Sequence, residues 1–225
     1  MYLSWNSKII SDFSDSNINT LYNEGYVFTR TEKGDMIQTR SIRIDLSTFT
    51  LSSENRRILN KTELLHATCS MLHEYPYHWS IAKMGKDFYE TKFCKGIFSA
   101  NKIKELLTDP QKSNFNRVFT YSVIPTEAEE SGPIGYAIAL ETDEIIHYAY
   151  PFYKLLAIGS ELPNLGLGMM LRAIMYAKEQ GKKYIYLGSA TRPSDTYKLQ
   201  FTGVEWFTKT SWSQDLEALK RLVTT

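Results

Sequence analysis

Cysteine is scarce: Cys69 and Cys94 are the only two in 225 residues. They stand far apart with no histidine at ligand spacing, which excludes a disulfide framework and argues against a zinc site. Both read as buried thiols. His66, His73, His78 and His147 show neither metal-ligand nor triad spacing and read as ordinary polar residues. A long apolar run is missing too, so a membrane span is not expected. The opening MYLSWNSKIISDFSDSN lacks a basic region followed by an apolar core, so neither does a secretion signal lead the chain, and the expected location is cytoplasmic. Charge of one sign is absent: 26 Lys and Arg against 25 Asp and Glu leave a formal +1. That field is too weak to draw in nucleic acid over the whole surface, and any contact with RNA has to be local.

What is present fills one large domain, or one domain with a smaller appended piece. Residues 18 to 46 read as a loose lead-in that ends in the alternating strand Ile42-Arg43-Ile44-Asp45-Leu46. Ser52-Ser53-Glu54 starts a helix whose composition carries on through Leu72 until Tyr75-Pro76 forces an extended backbone. Residues 77 to 109 mix lysines with aromatics, and Asn101 to Leu107 reads as a helix closed by Asp109-Pro110. Arg117 to Ile124 and Ile134 to Leu140 alternate and pair as an antiparallel hairpin across an acidic turn, and Ile145 to Ile158 is a further strand region. Leu167, Met170, Leu171, Ile174 and Ala177 recur at helical spacing until Gly181, and Tyr184-Ile185-Tyr186-Leu187 follows as a short buried strand.

Between those last two strands lies the stretch richest in chemistry, YKLLAIGSELPNLGLGMMLRAIMYAKEQGKKYIYLG from Tyr153 to Gly188. Gly166 and Gly168 open the helix, whose first amides have no partners inside it. Glycine lets a ligand approach the backbone and the helix dipole favours negative charge, so a phosphate or an ester carbonyl suits the place. The same spacing also suits a tight connection selected only for shape.

This stretch resembles, without a gap, the acyl-carrier loop of the GNAT (general N-acetyltransferase) superfamily. Leu156-Ala157-Ile158 takes the strand end, and Gly166 and Gly168 take the last two positions of the Gln/Arg-x-x-Gly-x-Gly/Ala signature. Pro163 departs from it, having neither an amide hydrogen nor a cationic side chain. The chain is also similar to the arginyl and leucyl aminoacyl-tRNA protein transferase branch. That likeness rests on Leu165-Gly166, on Tyr184-Ile185-Tyr186-Leu187-Gly188, and on Tyr197-Lys198-Leu199-Gln200-Phe201 with Glu205 following. It rests more faintly on Arg43, Phe49, Ser52 to Arg57 and Tyr89 to Phe93. Where the branch carries a cysteine cluster, residues 26 to 40 here contain none.

The resemblance implies an α/β fold with a GNAT-like mixed, mostly antiparallel sheet flanked by helices. Residues 111–225 would form the acyltransferase core, and residues 1–110 an N-terminal segment packed on it. It implies a donor site at Ala157, Ile158, Gly159, Leu165, Gly166, Leu167 and Gly168, with the strand-end amides as oxyanion donors. Tyr197 would protonate the leaving group or else only pack. Glu141 or Glu144 would take the amine proton or else stand as solvated hairpin-end carboxylates. Arg56, Arg57 and Lys61, with Lys198, are the candidate tRNA or acceptor contacts, and a solvated helix face accounts equally well for the first three. Lys83, Lys86, Lys92 and Lys95 among Trp79, Phe88, Tyr89 and Phe93 offer stacking and charge, or half-buried aromatics with surface lysines. No cofactor or metal is expected to be bound permanently. The first expectation is transfer of an amino acid from aminoacyl-tRNA to the amine of a peptide or protein. An acetyl-CoA dependent N-acetyltransferase is the alternative, and a catalytically silent binding module the third.

Overall fold

The computed structural model describes residues 3–123, 132–155 and 163–224, which fall into two compact units. The first gathers residues 1–52, 141–147 and 176–225, and the second residues 53–140 and 148–175.

The first unit opens with strand β1 (Asn6–Ile9), helix α1 (Asp15–Asn23) and strands β2 (Tyr26–Phe28) and β3 (Asp35–Gln38), where a loose lead-in was expected. Ser14 caps α1 by accepting from the Asn17 amide, and Ile18, Leu21 and Tyr22 form its buried face. The three strands make a small antiparallel sheet in the order β1-β3-β2. A second sheet is built on β4 (Ser41–Asp45), which pairs antiparallel on one side with β9 (Tyr184–Ser189) and on the other with β10 (Val204–Phe207). The short β11 (Trp212–Ser213) follows β10, and helix α6 (Leu216–Thr224) ends the unit. On its other edge β9 runs parallel to the start of β8 (Ile145–Tyr153), Ile145 lying opposite Tyr184 and His147 opposite Tyr186. Helix α5 (Leu165–Glu179) makes that parallel connection, as a strand-helix-strand unit requires.

The second unit holds the remaining strands in the order β8-β7-β6-β5, with β5 (Leu65–Met71), β6 (Arg117–Val123) and β7 (Gly135–Glu141). The expected hairpin is present, with Arg117 opposite Ala139 and Tyr121 opposite Gly135. β5 corrects the sequence reading. Helix α2 (Ser53–Lys61) stops where the Thr62 hydroxyl donates to the Ile58 carbonyl at 2.9 Å, and residues 65–71 pair along their whole length with β6. Tertiary pairing has overridden a weak helical composition. Helix α3 (Trp79–Lys92) lies on the end of β8, where Phe88 meets Tyr153 at 4.6 Å between centroids and Tyr89 donates to the Pro151 carbonyl. Helix α4 (Ala100–Thr108) packs on α3, with Ile103 against Gly85.

The architecture is therefore a mixed, mostly antiparallel α/β fold with flanking helices. Cys69 is half-buried and Cys94 exposed, so neither is the core thiol expected from sequence.

Candidate functional site

Helix α5 begins after Asn164, which holds a left-handed backbone at φ 67°. Gly168 donates its N–H to the Asn164 carbonyl at 2.9 Å, but among the described residues the N–H groups of Leu165, Gly166 and Leu167 meet no acceptor. Donors at the positive end of a fifteen-residue helix are of the kind that suits a negative group. No acidic side chain lies in the first turn to occupy them.

The two glycines serve different ends. A Cβ on Gly168 would lie 2.8 Å from Thr62 Oγ1 and 2.9 Å from its Cγ2, so this glycine lets α5 press against the end of α2. A Cβ on Gly166 would lie 3.2 Å from the Tyr153 hydroxyl, a tight but yielding contact. Both readings of the glycine pair, close packing and open amides, are present at neighbouring positions.

One side chain fixes the first turn of α5 against its neighbours. Arg172 donates through Nε to the Leu65 carbonyl at 2.6 Å, through one terminal nitrogen to Thr62 Oγ1 at 2.9 Å and to the Gly168 carbonyl at 3.1 Å, and through the other to the Thr62 carbonyl. Burial pulls its pKa down, yet a guanidinium stays charged. Tyr121 adds a second anchor, donating to the Met169 carbonyl at 3.0 Å. Tyr153 is the residue that sequence reasoning missed. It closes strand β8, its ring rests on Phe88, and its hydroxyl has no hydrogen-bond partner among the described residues although it stands beside Gly166. Burial pushes its pKa up, so at neutral pH it is a phenol able to donate. A tyrosine at the last position of a strand leading to a glycine turn was the available signal.

Arg56, Arg57 and Lys61 sit exposed on α2 in the same unit, and Lys61 precedes the Thr62 that touches Gly168. Arg57 pairs with Glu54 on the helix surface. Ala157, Ile158 and Gly159 lie outside the described residues.

The other candidates belong to the first unit. Tyr197 lies in a short 3-10 helix, Pro193–Gln200, with its side chain 43% exposed. Its neighbour Lys198 is buried and donates from Nζ to the Ser189 carbonyl at 2.7 Å, with Asp195 Oδ1 3.9 Å away. Burial lowers the Lys198 pKa, Asp195 opposing. Glu141 forms a nearly buried ion pair with Lys182 at 2.9 Å, whereas Glu144 is an exposed carboxylate 3.5 Å from Lys183. His147, expected to be an ordinary polar residue, is 3% exposed, and its Nδ1 lies 2.9 Å from the Tyr22 hydroxyl. That hydroxyl also accepts from the Phe28 amide at 3.3 Å. Arg43 and Glu205, 162 positions apart, meet at 2.8 Å, and the guanidinium lies between the rings of Tyr184 and Trp212 at 3.8 and 3.9 Å.

No protein-family model matches the chain, and no curated protein matches it. Among solved structures it is similar to the C-terminal domain of a candidate lysylphosphatidylglycerol synthetase from Agrobacterium fabrum, with 13% identity over 79% of this chain and 52% of that one and a TM-score of 0.46. It is similar to L-PGS from Bacillus licheniformis, with 15% identity over 93% and 70% of the two chains and a TM-score of 0.48. A third is the GCN5-related glucosamine N-acetyltransferase region of a fungal multi-domain β-N-acetylglucosaminidase, with 10% identity over 88% and 22% and a TM-score of 0.48. The chain thus spans about half the length of the first of these.

Proposed function

We propose that the chain is a GNAT-fold acyltransferase that moves an aminoacyl group from aminoacyl-tRNA to the amine of a peptide or protein N-terminus. The observation that carries this reading is the trio of amides at Leu165, Gly166 and Leu167, without acceptors among the described residues and beside the Tyr153 phenol. It stands in the segment that resembles an acyl-carrier loop. Negative charge on the donor, a phosphate above all, would settle on those amides, and the phenol would add one directed hydrogen bond.

The reaction asks little else of the chain. A neutral amine attacks the ester carbonyl, the C–N bond forms, and the carbonyl electrons move to oxygen. They then return as the C–O bond to the tRNA ribose breaks. The amine loses a proton and the departing ribose oxygen gains one, so the sum is neutral. Positioning can supply about 7 to 11 kcal/mol of such a barrier, with amides aimed at the oxyanion adding to it. From the resemblance alone, Tyr197 is proposed to give the proton to the leaving oxygen; the residue is 43% exposed. Glu141 and Glu144 are the acids proposed from the resemblance to receive the amine proton; Glu141 is engaged with Lys182 in a nearly buried pair, and Glu144 is exposed beside Lys183.

The acetyl-CoA alternative draws on the same amides, and Pro163 counts against it by removing one donor from the loop. Purified protein incubated in parallel with radiolabelled acetyl-CoA and with a radiolabelled aminoacyl-tRNA pool, each with a peptide amine, tests both. Label reaching the peptide from tRNA is the expected result. Label from acetyl-CoA alone transfers the proposal to the alternative, and label from neither leaves a silent binding module.

A further inference from the structure

The second unit carries a groove that the transfer chemistry does not use. Helices α3 and α4 flank an open groove of about 440 Å³, lined by Tyr77, Trp79, Lys83, Lys86, Asp87 and Lys104 among others. Its volume lies within the range of sites that take small organic groups. Trp79 is the first residue of α3, follows the capping His78, and leaves its indole 63% exposed. By contrast Phe88 and Tyr89, which share the same lysine-rich sequence, turn inward to Tyr153 and Phe98. The aromatic and lysine mixture therefore sorts into a core face and a groove face.

Charge is as uneven as exposure. Residues 77 to 104 contain six lysines and two acids, in a chain whose overall formal charge is +1. Within the groove Asp87 pairs with Lys83 at 2.5 Å. Lys86 reaches Glu90 at 3.9 Å, and Lys104 has no ion-pair partner among the described residues. A tryptophan face flanked by the loosely paired Lys86 and by Lys104, which has no ion-pair partner among the described residues, is complementary to a flat ring joined to a phosphate. We infer that this groove binds single-stranded nucleic acid, one base stacking on Trp79 while Lys86 and Lys104 hold backbone phosphates. A duplex offers no free base face to the indole, and an acidic peptide satisfies the lysines but leaves the indole unused. The single strand is the occupant that uses both.

This reading extends the tRNA donor proposal, since a tRNA has a single-stranded end, but its test needs no turnover. The experiment measures fluorescence anisotropy of a short, mixed-sequence, fluorescein-labelled RNA single strand with the whole protein. The expected result is binding that Trp79→Ala weakens about five- to hundredfold and Trp79→Phe largely preserves. With two phosphate contacts, log K should fall with log salt at a slope of about −1.4, and Lys104→Ala should reduce the slope by about 0.7. Because Trp79 is exposed, its truncation should leave the thermal melt unchanged. Should it not, the Lys104→Ala slope on the neighbouring helix decides alone. The inference is overturned if the RNA fails to bind or if Trp79→Ala binds it as wild type. It is equally overturned if the same sequence as a duplex, or polyglutamate, competes as well as the unlabelled single strand. RNA binding here without transfer of label from aminoacyl-tRNA would sink the donor reading and keep the groove, and label transfer with no oligonucleotide bound would do the reverse.

Discussion

Thr62 occupies the space that a side chain on Gly168 would need: a Cβ built there would stand 2.8 Å from its hydroxyl oxygen and 3.1 Å from its own Cβ. The neighbour is a β-branched residue held by Arg172 and by the Ile58 carbonyl, so it has no easy way to yield. Gly168→Ala sets two effects of opposite sign against each other. Replacing glycine in a helix ordinarily stabilises by about 0.4 to 1 kcal/mol, whereas overpacking costs about 1 to 3 kcal/mol. The second should win, and urea denaturation should show a lower midpoint. An unchanged or higher midpoint would mean that α5 can move off α2.

At Gly166 the neighbour is a phenol that can swing by a few tenths of an ångström. Gly166→Val should therefore fold, yet place a branched side chain over the first amides of α5 and abolish donor binding. Tyr153→Phe keeps the ring on Phe88 and removes only the hydroxyl. Its expected cost is a donor affinity about two- to tenfold weaker, the worth of one hydrogen bond. Equilibrium binding of charged tRNA to each variant measures both, and wild-type affinity in Gly166→Val would exclude this helix start as the donor site.

Tyr197→Phe separates chemistry from packing. The side chain is substantially exposed, so its hydroxyl can be removed at little cost to stability. Loss of a general acid should lower turnover by on the order of a hundredfold while donor affinity holds. Equal turnover in the two proteins would reduce Tyr197 to a surface residue.

His147 gives the fold a dependence on acid. Burial first, and the Lys198 charge second, bring its pKa from 6.5 down to about 3. Native protein thus refuses a proton that the unfolded chain accepts between those values, so stability is full above about pH 6.5 and declines as the pH falls toward 3. The slope from this one group is about 1.4 kcal/mol per pH unit. Denaturation of wild type and His147→Gln across that range should give curves that differ by one proton. Parallel curves would show that the imidazole titrates normally.

The sequence was most legible where one period dominates. The spacing of Leu167, Met170, Leu171, Ile174 and Ala177 found α5, and alternation found the β6–β7 hairpin. Helix α3 carries an equally regular face in Ile81, Ala82, Gly85, Phe88 and Tyr89, but the lysines and aromatics interleaved with it obscure the period. Strand β5 was lost for a physical reason: it is held by a ladder to a partner more than forty positions downstream, which no local window contains. At the candidate site the glycines were readable as a motif. Their division of labour was not, because it depends on Thr62 and Tyr153 arriving from other elements.

Strand β4 also bears on how the molecule is made. Its two ladder neighbours, β9 and β10, and Glu205, the counter-ion of its Arg43, all come from residues 184 to 207. During synthesis at about 5 to 20 residues per second, β4 leaves the ribosome on the order of ten seconds before any of them exists. Through that interval its apolar residues Ile42 and Ile44 have no sheet to join. The nascent chain therefore carries an orphaned hydrophobic strand, open to contact with other chains, until residues 184 to 207 are made.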